Sequence, residues 1–235
     1  MALSDTSRFG FSSGALCKGD FRTAIQWLHE AEVDVIELSA LRFSELAPLV
    51  RALTEDLELC FKSVSIHAPS SFTRDEEDEV IELLSREAIN TFAIVIHPDV
   101  LHTPSKWRQF GRRLLVENMD DRKTTGRTAD ELDIVFKELP EAGLCFDIGH
   151  ARQVDPSLLE AWRILEQHGD RLAEIHVSHV DEDGAHAPME QMARNTCRWF
   201  QRRNQADVPV VIESPVGQDE IEHELGVVQE ALSGA

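Results

Sequence analysis

The chain has 235 residues, 42% of them hydrophobic, which is enough for a full core and for one domain spanning positions 1–235. Its 43 acidic against 23 basic residues leave a formal net charge of −20, so the surface repels phosphate backbones and nucleic acid is a poor default partner. The opening MALSDTSRFG lacks a basic segment followed by an apolar stretch, and no later apolar run approaches the roughly 18 residues of a membrane span.

A soluble, cytoplasmic protein with no membrane partner is therefore expected. Short β-branched or apolar runs alternate with amphipathic stretches from end to end, the pattern of parallel strands joined by crossover helices. In chain order the strand candidates are Phe9–Phe11, Val33–Leu38, Ser63–Ile66, Phe92–Ile96, Leu114–Val116, Leu144–Phe146, Leu172–Val177 and Val208–Ile212. With no linker or tandem repeat between them, these units predict an α/β fold, a single (β/α)8 TIM barrel with an outer ring of helices. Pro98 and Pro104 leave room only for a short helix around Ser105–Arg112. Leu158, Leu159, Trp162 and Leu165 make one helical stripe, and Ile221, Leu225, Val228 and Leu232 another; both read as core. Cys17, Cys60, Cys145 and Cys197 lack CxxC spacing, and Cys60 and Cys145 sit among apolar residues, so reduced, structural thiols are expected. The acidic runs at Asp75–Glu79 and Asp181–Asp183 read as solvated surface.

Function is carried by where the polar residues fall. A histidine or carboxylate closes six successive strand candidates, in the segments SIHAPSS, VIHPD, LLVENMD, LCFDIGH, IHVSH and VVIESP. Those strand ends converge on one mouth of a β/α barrel, which would gather His67, His97, Glu117, Asp147, His176 and Glu213 into a ring. Taken singly, each residue has an ordinary explanation as a hydrogen-bonded or ion-paired side chain. Together they would be costly to bury without a partner, and a divalent cation (Zn, Mn, Mg or Co) meets that need. His150 follows Asp147 by three positions, and His179 and His186 follow in an acidic loop, so the site has capacity for more than one ion.

These motifs resemble the xylose isomerase-like barrels, which include sugar-phosphate isomerases and epimerases and the endonuclease IV group. The resemblance runs over nearly the whole chain. In the isomerase branch it implies one metal held by Glu117, Asp147, His176 and Glu213, with His150 completing a DxxH step. In the endonuclease IV branch it implies two or three ions, with further ligands at His67, His97, His150 and His186. That branch also has an Asp two residues before the loop histidine; Gly184 stands there in this chain, and Asp183 is one residue out of register.

Two chemistries follow. In isomerisation or epimerisation of a small polyhydroxy or phosphorylated substrate, the metal would stabilise an enediolate, Glu117 and Glu213 would exchange the proton, and His150 would orient a hydroxyl. This reading is weighted modestly above the second because four ligands suffice and the acidic surface suits a small substrate. In the second, His67 and His97 share Glu117 with the main site, which makes a multinuclear phosphoesterase of a small phosphodiester or, less readily, abasic DNA. Lys123, Arg127 and His179 are substrate-binding candidates under either scheme. A noncatalytic metal- or metabolite-binding barrel, and assembly into homo-oligomers, remain open.

Overall fold

The computed structural model describes residues 6–55, 57–181, 183–203 and 206–233; Met1–Asp5 and Glu182 of the acidic loop lie outside the described residues. Strands β1 (Phe9–Ser12), β2 (Val35–Ser39), β3 (Ser63–His67), β4 (Ala93–Ile96), β5 (Leu114–Glu117), β6 (Gly143–Asp147) and β7 (Leu172–Val177) are followed by a small hairpin, β8 (His179–Val180) and β9 (His186–Ala187), and then by β10 (Val210–Ile212). The hairpin apart, these strands are the eight expected. They pair in parallel as a closed barrel in the order β1-β10-β7-β6-β5-β4-β3-β2, so every strand has two neighbours and no edge is left open.

Alternation along each strand sorts side chains onto two faces. Ile94 and Ile96 of β4 pack outward into the main core under the helices. Val95, between them, joins Leu115 and Cys145 in a separate cluster that Ala93 and Ala173 also touch, the apolar floor of the barrel interior. Closure needs close approach at one point in particular: a Cβ on Gly10 would lie 1.8 Å from the backbone oxygen of Val35, so β1 can pair with β2 there only through glycine.

The surrounding helices are α1 (Ser13–Cys17), α2 (Phe21–Glu30), α3 (Phe43–Glu55), α4 (Glu77–Leu84), α5 (Pro104–Trp107), α6 (Ala129–Glu138), α7 (Ile148–Val154), α8 (Leu159–His168), α9 (Gln191–Gln201) and α10 (Ile221–Ser233). As the two prolines predict, the β4 to β5 crossover is short, α5 running into a 3-10 segment at Arg108–Arg113. The stripe on α10 is core, with Ile221, Val228 and Leu232 buried and Leu225 packed against them. The stripe expected on α8 is half so, with Leu158 and Leu165 packed against the core and Leu159 and Trp162 exposed. Leu158 precedes the helix in the left-handed region (φ 62°), and the buried positions of the helix are Ala161, Ile164 and His168. Among the described residues no helix is long and apolar enough to cross a membrane.

Two further expectations change. All four cysteines are free, but Cys60 is exposed, because it lies in the loop before β3 rather than in the strand. Glu77, counted with the solvated acidic run, is fully buried and accepts hydrogen bonds from Trp107 Nε1 (3.0 Å) and Thr103 N (2.8 Å). Burial pushes its carboxyl up, but those bonds outweigh burial and hold it below the ordinary carboxylate range. Glu77→Ala leaves both donors without an acceptor and is expected to lower unfolding free energy by on the order of 2–3 kcal/mol in urea titrations at neutral pH. With the folded pKa depressed, the contribution is present above the unfolded pKa and lost as pH falls through the folded one. Wild type and variant should converge in acid.

Candidate metal centre at the barrel mouth

The strand ends deliver the ring to one place. His67 closes β3, Glu117 closes β5, Asp147 closes β6 and His176 lies one residue from the end of β7, while His97 and Glu213 directly follow β4 and β10. Register fixes neighbours: Asp147 pairs with His176 across β6 and β7, and Ser39 with His67 across β2 and β3. Local chemistry fixes orientation. Asn118 clamps the β6 end, donating to the Asp147 carbonyl (2.9 Å) and accepting from its N–H (2.8 Å). Asp147 caps α7 by accepting from the N–H of His150 (2.6 Å), which turns its other oxygen toward the centre.

Ligand atoms of Glu117, Asp147, His176 and Glu213 lie within 4.8 Å of one another, as do those of His67, His97 and Glu117, so the two groups share Glu117. Its Oε2 is 3.2 Å from Nε2 of both His67 and His97, and its Oε1 is 3.5 Å from His176 Nδ1. These residues fit a divalent cation on their own geometry. Asp147 Oδ2, His176 Nδ1 and Glu213 Oε2 are buried without a hydrogen-bond partner, and all three belong to the four-residue group. His67 Nδ1 is paired with the Ala68 carbonyl (2.7 Å), so that once the ring loses its second proton Nε2 would face the centre with a lone pair.

Charges here are tightly interdependent. Burial would raise the Glu117 carboxyl, but the neighbouring His176, His67 and His97 hold it well below the carboxylate range. Burial disfavours the His67 imidazolium, yet Glu37 and Glu117 raise its pKa to about 9. Burial raises the Glu213 carboxyl despite His176 and His186 nearby. A bound dication would take the place of the proton on His67 and offset the cost of burying the Glu213 charge.

Other expected residues sit differently. The His150 and His186 rings are 5.4 Å apart, but neither joins the two groups. His150 Nδ1 contacts the Asn118 carbonyl (3.1 Å), and its Nε2 faces Asp120 Oδ2 at 4.0 Å; His186 Nδ1 is bound to Ser178 Oγ (2.6 Å). Lys123 lines the mouth cavity but is paired with Asp99 (2.8 Å). Arg127 is tied to Glu131 (2.6 Å) and His179 lies near Glu190 (3.8 Å), and neither lines the cavity: each has an acidic neighbour on its own loop or helix start. The place of Gly184 is filled from another loop. A Cβ there would come within 2.4 Å of the Arg122 guanidinium carbon.

Sequence reasoning missed a buried layer beneath the ring. His176 Nε2 bonds Glu174 Oε1 (3.2 Å) and lies 3.2 Å from Glu37 Oε2, while Ser65 donates to Glu174 and Ser39 to Glu37. Glu37 and Glu174 were visible as lone charges inside the apolar runs VIELS and LAEIHV. A charge inside a doubly covered strand was the available signal.

No protein-family model and no curated protein matches the chain. Solved structures do. Endonuclease IV from Thermus thermophilus is 18% identical, aligned over 97% of this chain and 100% of its own, with a TM-score of 0.64. A xylose isomerase domain containing protein from Salmonella typhimurium is 17% identical over 97% and 98%, with a TM-score of 0.62. The chain has the xylose isomerase-like barrel fold. A xylose isomerase domain protein from Alicyclobacillus acidocaldarius shares it at 11% identity over 95% of each chain, with a TM-score of 0.57. At such identities what is shared is the fold, and the chemistry has to be argued from side chains.

Proposed function

We propose that the chain is a dinuclear metal-dependent phosphoesterase acting on a small phosphorylated substrate. One observation carries this reading: Glu117 stands in both ligand groups, with one oxygen toward His67 and His97 and the other toward His176. His67 and His97 with Glu117 would hold one ion, and Asp147, His176 and Glu213 with Glu117 the other. Bound there, a divalent pair supplies a nucleophile ionised at neutral pH and neutralises charge on the leaving oxygen.

The chain's own residues do the rest. The cavity over the centre is about 580 Å³, suited to a small molecule, and it opens beside Lys18, Arg42 and Arg122, cations that favour an anionic group in a chain of net charge −20. His186, at the rim and 3.6 Å from Glu213 Oε2, is placed to pass a proton to a leaving oxygen. His150, held through Nδ1, orients the substrate from the side of Asp120. One similar structure, from Thermus thermophilus, is named an endonuclease.

A second reading keeps the expected isomerisation. Glu117 Oε1 and Glu213 Oε1 lie 3.5 and 3.6 Å from the same His176 Nδ1, so two carboxylates flank one metal position and could exchange a proton across a bound sugar. The deciding measurement is ion content per chain, combined with a panel of small phosphoesters and sugar phosphates. Two tightly held ions with ester cleavage are expected. One ion, with solvent deuterium entering a sugar phosphate and no ester cleaved, would replace the first reading by the second.

A further inference from the structure

The mouth carries several cations, and one differs from the rest in how it is held. Lys123 is neutralised by Asp99, and Arg42 is largely exposed beside Glu45. Arg122 is anchored to a buried carboxylate: its Nε and Nη2 donate to Asp120 Oδ2 at 3.1 and 2.5 Å, and its backbone N–H donates to Oδ1 at 2.9 Å. Nη1 also reaches the Asp183 carbonyl at 3.2 Å, across the β8–β9 hairpin. The guanidinium thus lies over Gly184, whose backbone is in the left-handed region (φ +74°), and any side chain there would displace it.

Two consequences follow. Asp120 lies 4.0 Å from His150 Nε2, close to His186, where it could have completed a third set of metal ligands; engaged by Arg122, it is not available, and no third set forms there among the described residues. Meanwhile a guanidinium carries more N–H donors than these contacts use, and Arg122 lines the same cavity as Glu117, His150 and Glu213. We propose that Arg122 is a fixed resident cation for the phosphate group of the substrate, clamped by Asp120 and presenting its uncommitted N–H donors to the cavity beside the metal ligands.

Planar, permanently charged and pre-positioned, it matches phosphate oxygens better than a mobile lysine would. The proposal names the substrate's anionic group and rests on the reading of the mouth as a metal-dependent phosphoester site. Its test does not depend on that reading. Inorganic phosphate is titrated calorimetrically into the full chain, chelator-treated and reloaded with zinc, for wild type, Arg122→Gln and Arg122→Lys. Arg122→Gln is expected to weaken phosphate at least about tenfold in both states, with zinc content unchanged, and Arg122→Lys to fall between. Equal phosphate affinity in wild type and both variants overturns the proposal. If zinc fails to bind while the Arg122→Gln loss persists, the metal reading fails and the arginine site stands. Thermal melts of each variant show that the comparison is made on folded protein.

Discussion

Glu117→Gln is expected to lower tightly held divalent ions from two per chain to at most one and to cut phosphoester turnover by about 10³-fold, equivalent to ~4 kcal/mol of barrier. Each oxygen of this carboxylate faces a different ligand group, at 3.2 Å from His67 and His97 on one side and 3.5 Å from His176 on the other. An amide would keep one acceptor oxygen and turn an NH2 group toward the other set of ligand residues, which would then offer a donor where a ligand is needed. Asp147→Asn makes the informative comparison, because Asp147 stands in only one group and its loss should spare the ion at His67 and His97. Ion content by atomic emission and single-turnover assays on the same preparations check both. Two ions retained by Glu117→Gln would mean that Glu117 bridges nothing, and the dinuclear reading would fall.

The part of this site that was legible in the sequence is the part written by strand periodicity. Polar residues at six strand ends, each after an apolar run, locate a barrel mouth, and the ring from His67 to Glu213 assembles there. The cations could not be ranked the same way. DDRKTTGRT offers Arg122, Lys123 and Arg127 within six positions, and only folding decides that Lys123 meets Asp99, Arg127 meets Glu131 and Arg122 meets Asp120. His150 and His186 were placed near the centre but not at their distances from it, since Nδ1 contacts to Asn118 and Ser178 turn both rings. On α8 the predicted stripe is split, Leu158 and Leu165 packing against the core while Leu159 and Trp162 are exposed. Glu37 and Glu174 were hidden for a different reason: what a charge in an apolar strand means depends on closure, which puts strands far apart in the chain around one interior.

That hidden layer carries the last large effect. His176 stands between two carboxylates below and the metal ligands above, its Nε2 near Glu37 and Glu174 and its Nδ1 near Glu117 and Glu213. One imidazole N–H cannot neutralise two buried anions. Burial raises the Glu174 carboxyl, whereas at Glu37 burial is outweighed by His176 and His67, so the two partners are pushed in opposite directions, Glu37 toward its charged form and Glu174 away from it. An ionised carboxylate on the far nitrogen fixes the tautomer and increases the donor strength of the near one. Glu37→Gln is therefore expected to weaken divalent-ion binding at the four-ligand group by about 10–100-fold, read by competition with a chromophoric chelator. Glu174→Gln removes a charge that burial already disfavours, keeps the side chain's shape, and should change affinity less. Because the substitutions are isosteric and equally buried, a general packing defect would weaken both alike; an equal loss in the two variants would remove Glu37 from this positioning role, and a loss confined to Glu37→Gln would support it.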